Sequence, residues 1–424
     1  MITEDLVKFL WKYRLFTSIP LKTISGKIVE IVSPGEINSD AGPDFFNAKI
    51  KLDGVLWAGN VEIHTDSSYW ERHGHHTDRA YNNVILHVVT EYKRNVYTLE
   101  GRELETLVVE VDDYLMQRFW QLQYSDSKIP CAPFINDVSI LSIKSWLDAL
   151  AAERLETRIN AVNLLVEQLH GDWEETLYRY LARSLGTSLN SLPFEMLAKA
   201  APLALIRRHC TTLTQAEALL FGQAGLLAED DGDSYFLRIK KEYAYLSHKL
   251  GLKPMDGAVW KFARTRPPNF PTVRIAQLAA LSFFEFPLLA RLGNINHVEQ
   301  LPKILTTAPS SYWRAHYTFN HPSPQRKVGL GKEVVLLVIL NAFIPVLYAF
   351  NKSMGNEVGQ QLCLTALEKL DPENNAIIKQ WKSLGIPATN ALDSQALLQL
   401  YKGYCVPKKC LYCRIGATLL TKKA

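Results

Sequence analysis

Residues 40–89 read DAGPDFFNAKIKLDGVLWAGNVEIHTDSSYWERHGHHTDRAYNNVILHVV, and this stretch decides the fold class. Two runs in it, 44–52 and 55–65, are rich in β-branched and aromatic residues. Asp53-Gly54 between them predicts a hairpin, because the tight turn needs residues that accept positive φ. A third run, 83–91 (NVILHVVTE), is almost continuously apolar and predicts a strand buried on both faces. Working outward, residues 3–16 place Leu6, Phe9, Leu10 and Tyr13 at helical spacing behind Thr3, a helix-capping residue. A strand at 27–32 ends at Pro34-Gly35, 67–81 is a polar helix or ordered loop, another strand lies at 104–111, and Asp112 caps a helix to 123. The expectation is an α+β protein, in which residues 1–124 form a mixed or antiparallel sheet with flanking helices.

Residues 125–137 form a Pro- and Ser-containing linker. From 138 to 424 the pattern is helical, with a candidate division at the acidic loop 228–235. Residues 264–274 (RTRPPNFPTVR) are expected to be irregular, because prolines interrupt them. The apolar run 334–350 is short for a membrane span and carries Asn341 and Pro345, which suits a buried helix. The first residues lack the basic and apolar regions of a secretory signal, so a cytoplasmic protein with no membrane association is expected. The 424 residues carry a net charge of +4, which permits an acidic partner without demanding one. No phosphate-binding loop, dinucleotide fingerprint, kinase set or GxSxG elbow occurs, so those enzyme classes are not indicated.

The segments DAGPDFFNAKI, GNVEIH, HGHHTDRAYNNVILHVV, EALLFGQAG, RPPNFPTVRIAQLA and YCVPKKCLYCRIG together resemble a family of bacterial proteins known only as a domain of unknown function. That resemblance implies no activity. A second one is mechanistic. Restriction-endonuclease-like nucleases place an Asp at the start of one strand and Glu-x-Lys on its hairpin partner, the carboxylates holding Mg²⁺ and the Lys orienting water. Here Asp44 begins one strand and Glu62-Ile63-His64 ends the next, so the resemblance implies Asp44, Glu62 and His64 as catalytic residues. His64 stands where those nucleases have Lys; an imidazole can ligate metal or act as a base.

Strand register decides whether these residues meet. With a three-residue loop 52–54, Lys51 pairs with Val55 and Asp44 faces Glu62, with His64 on the same side. Asp44, Asn60, Glu62 and His64 would then line one mouth above a floor of Phe46, Ala48, Ile50, Leu56 and Ala58. With a two-residue turn, Leu52 pairs with Val55, Asp44 faces Ile63, and Glu62 points to solvent. The apolar pattern favours the second arrangement; the clustering of polar residues favours the first. His73, His75, His76 and Asp78 add nitrogen and oxygen donors of the kind that suit Zn²⁺ or Mn²⁺, whereas Mg²⁺ would favour Asp44 and Glu62 alone. The same histidines suit a solvated loop, and His87, in an apolar strand, suits a hydrogen-bonded core position.

Cys405-x4-Cys410-x2-Cys413 has metal-ligand spacing but lacks a fourth ligand, for which Cys131 and Cys363 are candidates. The segment is similar to the tails of iron–sulfur DNA-repair glycosylases and to the cysteine staples of some helicase-linked nucleases, so Zn²⁺ and a [4Fe–4S] cluster are both open. Arg264, Arg266, Arg274 and Arg314, set among prolines and aromatics, are candidate phosphate contacts. The expected function is a metal-dependent nuclease or phosphodiesterase acting on nucleic acid. Its alternatives are a non-catalytic nucleic-acid or protein-binding module and a zinc hydrolase of another substrate class.

Overall fold

The structure is a computed structural model describing residues 2–38, 40–293 and 298–422. It is α+β, with two compact units: Met1–Trp146 together with Leu400–Ala424, and Leu147–Gln399. The cysteine-bearing tail therefore joins the first unit rather than the helical region in which its sequence position had placed it.

In the first unit, α1 (Glu4–Tyr13) starts where Thr3 accepts a hydrogen bond from Leu6 N and ends where Arg14 adopts a left-handed conformation. Its buried stripe of Leu6, Val7, Phe9, Leu10 and Trp11 is the expected helical periodicity. Strands β1 (Leu21–Lys22), β2 (Ile28–Ser33), β3 (Glu36–Ile37), β4 (Phe45–Leu52), β5 (Val55–Ile63), β6 (Val84–Val89) and β7 (Thr106–Val108) form one mixed sheet in the order β1-β2-β4-β5-β6-β7, with β3 also pairing with β4. Pairing is antiparallel up to β5 and parallel from β5 to β7. Between β5 and β6 lie α2 (Tyr69–Arg72) and two short 3₁₀ turns, and α3 (Asp113–Gln123) follows the sheet, capped by Asp112. All six residues of β6 are buried, as its unbroken apolar run predicts.

The hairpin uses each of the two registers foreseen from the sequence, one on either side of a bulge. Near the turn Leu52 pairs with Val55 and Ala48 with Gly59; beyond a shift, Phe45 pairs with Val61. The extra residue is accommodated at Asn47, whose φ is +56°. Asn tolerates this left-handed conformation better than most residues. The consequence is one of alternation. Phe45, Ala48, Ile50 and Leu52 all face the core with Val61 and Ile63, while Asp44 turns to the opposite face, the side of Glu62 and His64. Without the inserted residue, Asp44 would point into an apolar core at a cost of several kcal/mol. The expected apolar floor does not form: Leu56 and Ala58 are exposed, and Ala48 and Ile50 lie on the core side.

The second unit is helical. A helix spans Pro271–Phe284 and so includes Arg274, which had been expected in irregular chain; Pro271 occupies a first-turn position, where its missing N–H costs nothing. Residues Lys332–Ser353 form a helical segment long and apolar enough to cross a membrane by length and composition, yet 61% of its apolar window is buried within the protein. A π-helical turn, Ile339–Phe343, interrupts it. The half-buried Arg158 reaches this turn, its guanidinium donating to the Leu340 carbonyl (2.9 Å) and to Asn341 Oδ1 (2.7 Å).

Candidate metal centre

The site occupies the polar face of the sheet where β5 ends. Asp44 N donates to Glu62 Oε2 (3.0 Å) and Ile63 N donates to Asp44 Oδ2 (3.1 Å), so the carboxylates interlock across the hairpin. The parallel register sets His87 beside Glu62. Next along the chain, α2 and the following turn bring His73 and His75 back over the same face. Gly74 permits the sharp return, with φ +79°.

The resulting cluster is tight. One ligand-capable atom from each of His64, His73 and His75 lies within 4.8 Å of the other two. His64 Nε2 is 3.2 Å from His73 Nδ1, and its Nδ1 is 2.9 Å from His87 Nε2. Glu62 Oε1 is 3.2 Å from His75 Nε2 and 3.6 Å from His64 Nε2. Aromatic rings wall the pocket: Tyr81 stacks on His75 at 3.8 Å, and the Trp70 ring meets the His75 and His87 rings at 5.4 Å. From α1, Lys8 Nζ pairs with Asp44 Oδ1 at 2.6 Å.

Burial dominates the electrostatics. It pushes the His64 imidazole down to about 2, helped by the nearness of the His87, His75 and His73 rings, whose charge would repel its own, and the His87 imidazole down to about 3. Both are therefore neutral, the form that ligates metal. Burial raises Glu62; His75 opposes this and the Asp44 charge adds to it. Burial also raises Asp44, against the hydrogen bond and charge of Lys8. Lys8 is itself raised, because Asp44 outweighs the burial that would lower it.

The donor set fits a borderline divalent cation. Buried His75 Nε2 and His87 Nδ1 have no hydrogen-bond partner; His75 Nε2 lies near Glu62 without forming a well-aligned bond. A cation taking His64 Nε2 would leave that ring's proton on Nδ1, where it donates to His87 Nε2. His87 would thus fix the tautomer and orientation of His64.

The remaining sequence candidates are placed differently. His76 and Asp78 are exposed, and Asp78 caps the 3₁₀ turn Arg79–Tyr81 by accepting from Ala80 N. Neither joins the cluster, because the turn aims them away from the sheet. Arg274 is buried and donates to Gln277 Oε1 (2.7 Å) and Asn269 Oδ1 (2.5 Å), so it braces the helical unit and does not face solvent. Arg264 and Arg266 are exposed and border a cleft of about 420 Å³ with Thr187, Ser188 and Lys379. Arg314 is exposed elsewhere on that unit. Lys8 went unnoticed in the sequence, where it reads as one of the polar positions of an amphipathic helix.

A family model described as "Protein of unknown function (DUF2851)" matches residues 4–376. The chain belongs to this family. The DUF2851 match takes in every residue of the histidine–carboxylate site and ends before the cysteine tail. No curated protein and no solved structure matches the chain.

Proposed function

We propose that the chain is a divalent-metal-dependent hydrolase that cuts phosphodiester bonds in nucleic acid. The observation that carries this reading is the bulged hairpin, which sets Asp44 against Glu62 within reach of three imidazoles on one sheet face. The helix-first order and the Asp…Glu-x-His hairpin support it through their resemblance to restriction-endonuclease-like nucleases. A bound divalent cation supplies Lewis acidity and a more acidic water. The chain's own residues do the rest. His64, His73, His75 and Glu62 would hold the ion, and His87 would orient His64. Lys8 favours the ionised form of Asp44 against burial and offers a cationic donor beside the reacting face. Trp70 and Tyr81 exclude water from one side. Burial raises the Glu62 carboxyl, which favours its holding a proton until a cation displaces it.

The test is cleavage of supercoiled and single-stranded DNA and of RNA by the full chain, with Mn²⁺, Mg²⁺ or Zn²⁺ and with a chelator. Metal-dependent cleavage that falls at least about a hundredfold in Asp44→Asn and Glu62→Gln is expected. Cleavage unaffected by Glu62→Gln, or no cleavage by metal-loaded folded protein, would overturn the nuclease reading. The nitrogen-rich donor set favours a second reading, a zinc hydrolase of another substrate, since Mg²⁺ prefers oxygen ligands. Hydrolysis of model esters or amides with Zn²⁺, without nucleic-acid cleavage, would select it.

A further inference from the structure

The first unit holds a second group of metal-ligating side chains, none of them a member of the histidine cluster and none used by anything described so far. Cys405 ends the π-helical turn Leu400–Cys405, Cys410 opens the 3₁₀ turn Cys410–Tyr412, and Cys413 immediately precedes the helix Arg414–Thr421. Cys131 immediately precedes the 3₁₀ turn Ala132–Asp137, far away in sequence. All four are free and buried, each only 6–7% exposed.

Several contacts lock the tail to the segment that carries Cys131. Lys408, left-handed at φ +54°, donates from Nζ to the carbonyls of Gln123 (2.7 Å) and Ser125 (3.1 Å). Gln123 Nε2 donates back to the Lys408 carbonyl at 3.0 Å. Lys422 Nζ donates to the Asp137 carbonyl (3.1 Å) on the far side of Cys131. Gly416 packs so closely on the Cys410 carbonyl that any side chain would overlap it.

These contacts gather the sulfurs. Each of the four cysteines lies close enough to the other three for a charge on one to be felt by all. Yet, among the described residues, no three of these sulfurs fall within 4.8 Å of one another. A single tetrahedral Zn²⁺ with Zn–S bonds of about 2.3 Å would draw its sulfurs to roughly 3.8 Å apart. A cubane has a separate iron at each ligated corner and holds its four thiolates farther apart. We infer that Cys131, Cys405, Cys410 and Cys413 ligate a [4Fe–4S] cluster that staples the tail of the chain to the end of the sheet unit.

The surroundings of the sulfurs suit this. The Trp146 indole N–H is buried without a hydrogen-bond partner. With the backbone N–H groups of Ile415 and Gly416 at the start of the last helix, it is among the groups that would stabilise a Cys413 thiolate. Such N–H donors to sulfur stabilise cluster ligands and tune their potential. Burial pushes the Cys131 and Cys410 thiols up to about 12. Four buried thiols that repel one another's charge would stay protonated and inert without a cation, and each would release its proton on ligation.

The test uses the full chain, purified without oxygen and also reconstituted with Fe²⁺ and sulfide. Iron, acid-labile sulfide, zinc and visible absorbance are measured per chain in wild type, Cys131→Ser, Cys410→Ser and Cys363→Ser. A brown protein is expected, with iron and sulfide in equal amounts near four per chain. Both should fall at least severalfold in Cys131→Ser and Cys410→Ser and stay unchanged in Cys363→Ser, whose cysteine lies in the other unit. Stoichiometric zinc without sulfide in wild type would overturn the cluster. Wild type with no metal after reconstitution would overturn the site, as would iron retained in a Cys131→Ser protein of wild-type circular dichroism. The wild-type count stands alone if a serine variant fails to fold.

Discussion

Removing His73 separates metal binding at the sheet site from binding anywhere else. His73 is exposed, so His73→Ala should alter the fold by about 0.5 kcal/mol or little more, while deleting one of three imidazoles gathered within 4.8 Å. A cation at a hundred times its dissociation constant stabilises the folded state by about 2.7 kcal/mol. For a unit of roughly 170 residues this raises Tm by about 5–10 °C. If losing one ligand weakens affinity about a hundredfold, the same concentration leaves about 0.4 kcal/mol, a rise of under about 2 °C. The assay is thermal unfolding against Zn²⁺ and Mn²⁺ concentration, in wild type, His73→Ala and Glu62→Gln. Equal metal-induced rises in all three proteins would place the ion elsewhere and refute the site.

At the bulge, Asn47→Val should destabilise the protein by about 1–2 kcal/mol in chemical denaturation, while Asn47→Gly is neutral, because only the β-branched side chain resists positive φ. Lys8→Met strips Asp44 of its cation at a partly exposed pair, so a loss of about 1–3 kcal/mol is expected, with Asp44→Asn largely restoring it in the double variant; a double variant no more stable than Lys8→Met would sink the pairing argument. The folded-state values of His64 and His87 lie below the ordinary 6.5, so their stabilisation is complete above that pH and is lost as pH falls towards about 3. Each histidine should steepen metal-free acid destabilisation by about 1.4 kcal/mol per pH unit in that window, and His87→Gln should remove its share. The raised Asp44 and Glu62 act in the opposite direction, gaining stability as pH falls, so the comparison of slopes rather than the absolute curve is decisive.

Periodicity carried most of the fold. The stripe of α1, the Asp53-Gly54 turn and the apolar run of β6 act through local rules, and each formed where its pattern lay. The register of the hairpin was not legible as a single choice, because alternation is reset by one residue in a conformation that leaves little trace in composition. Asn47 was the available signal, an αL-tolerant residue inside a β run. His73 and His75 were separable from His76 only through the turn at Gly74, a matter of backbone direction rather than residue type. Lys8 and Arg274 show the opposite failure. A lysine on a helix and an arginine in a basic run both look like surface, and only packing reveals one beside a buried carboxylate and the other sealed among Gln277 and Asn269.

Charge balance argues that the sheet site is built for a cation. Asp44 and Lys8 offset one another at 2.6 Å. Glu62, only 5% exposed, has imidazole neighbours instead of an ammonium: His75 Nε2 at 3.2 Å, and His64, which burial holds neutral. An ionised carboxylate there needs either a proton or a metal ion to be tolerated. A proton would satisfy Glu62 alone and leave the buried His75 Nε2 without a partner. A divalent ion would neutralise Glu62 and use the nitrogens at once. Metal affinity should therefore climb with pH through the raised titration of Glu62, and Glu62→Gln should flatten that climb while leaving the imidazoles in place. A pH-independent affinity in wild type would show that Glu62 is not a ligand.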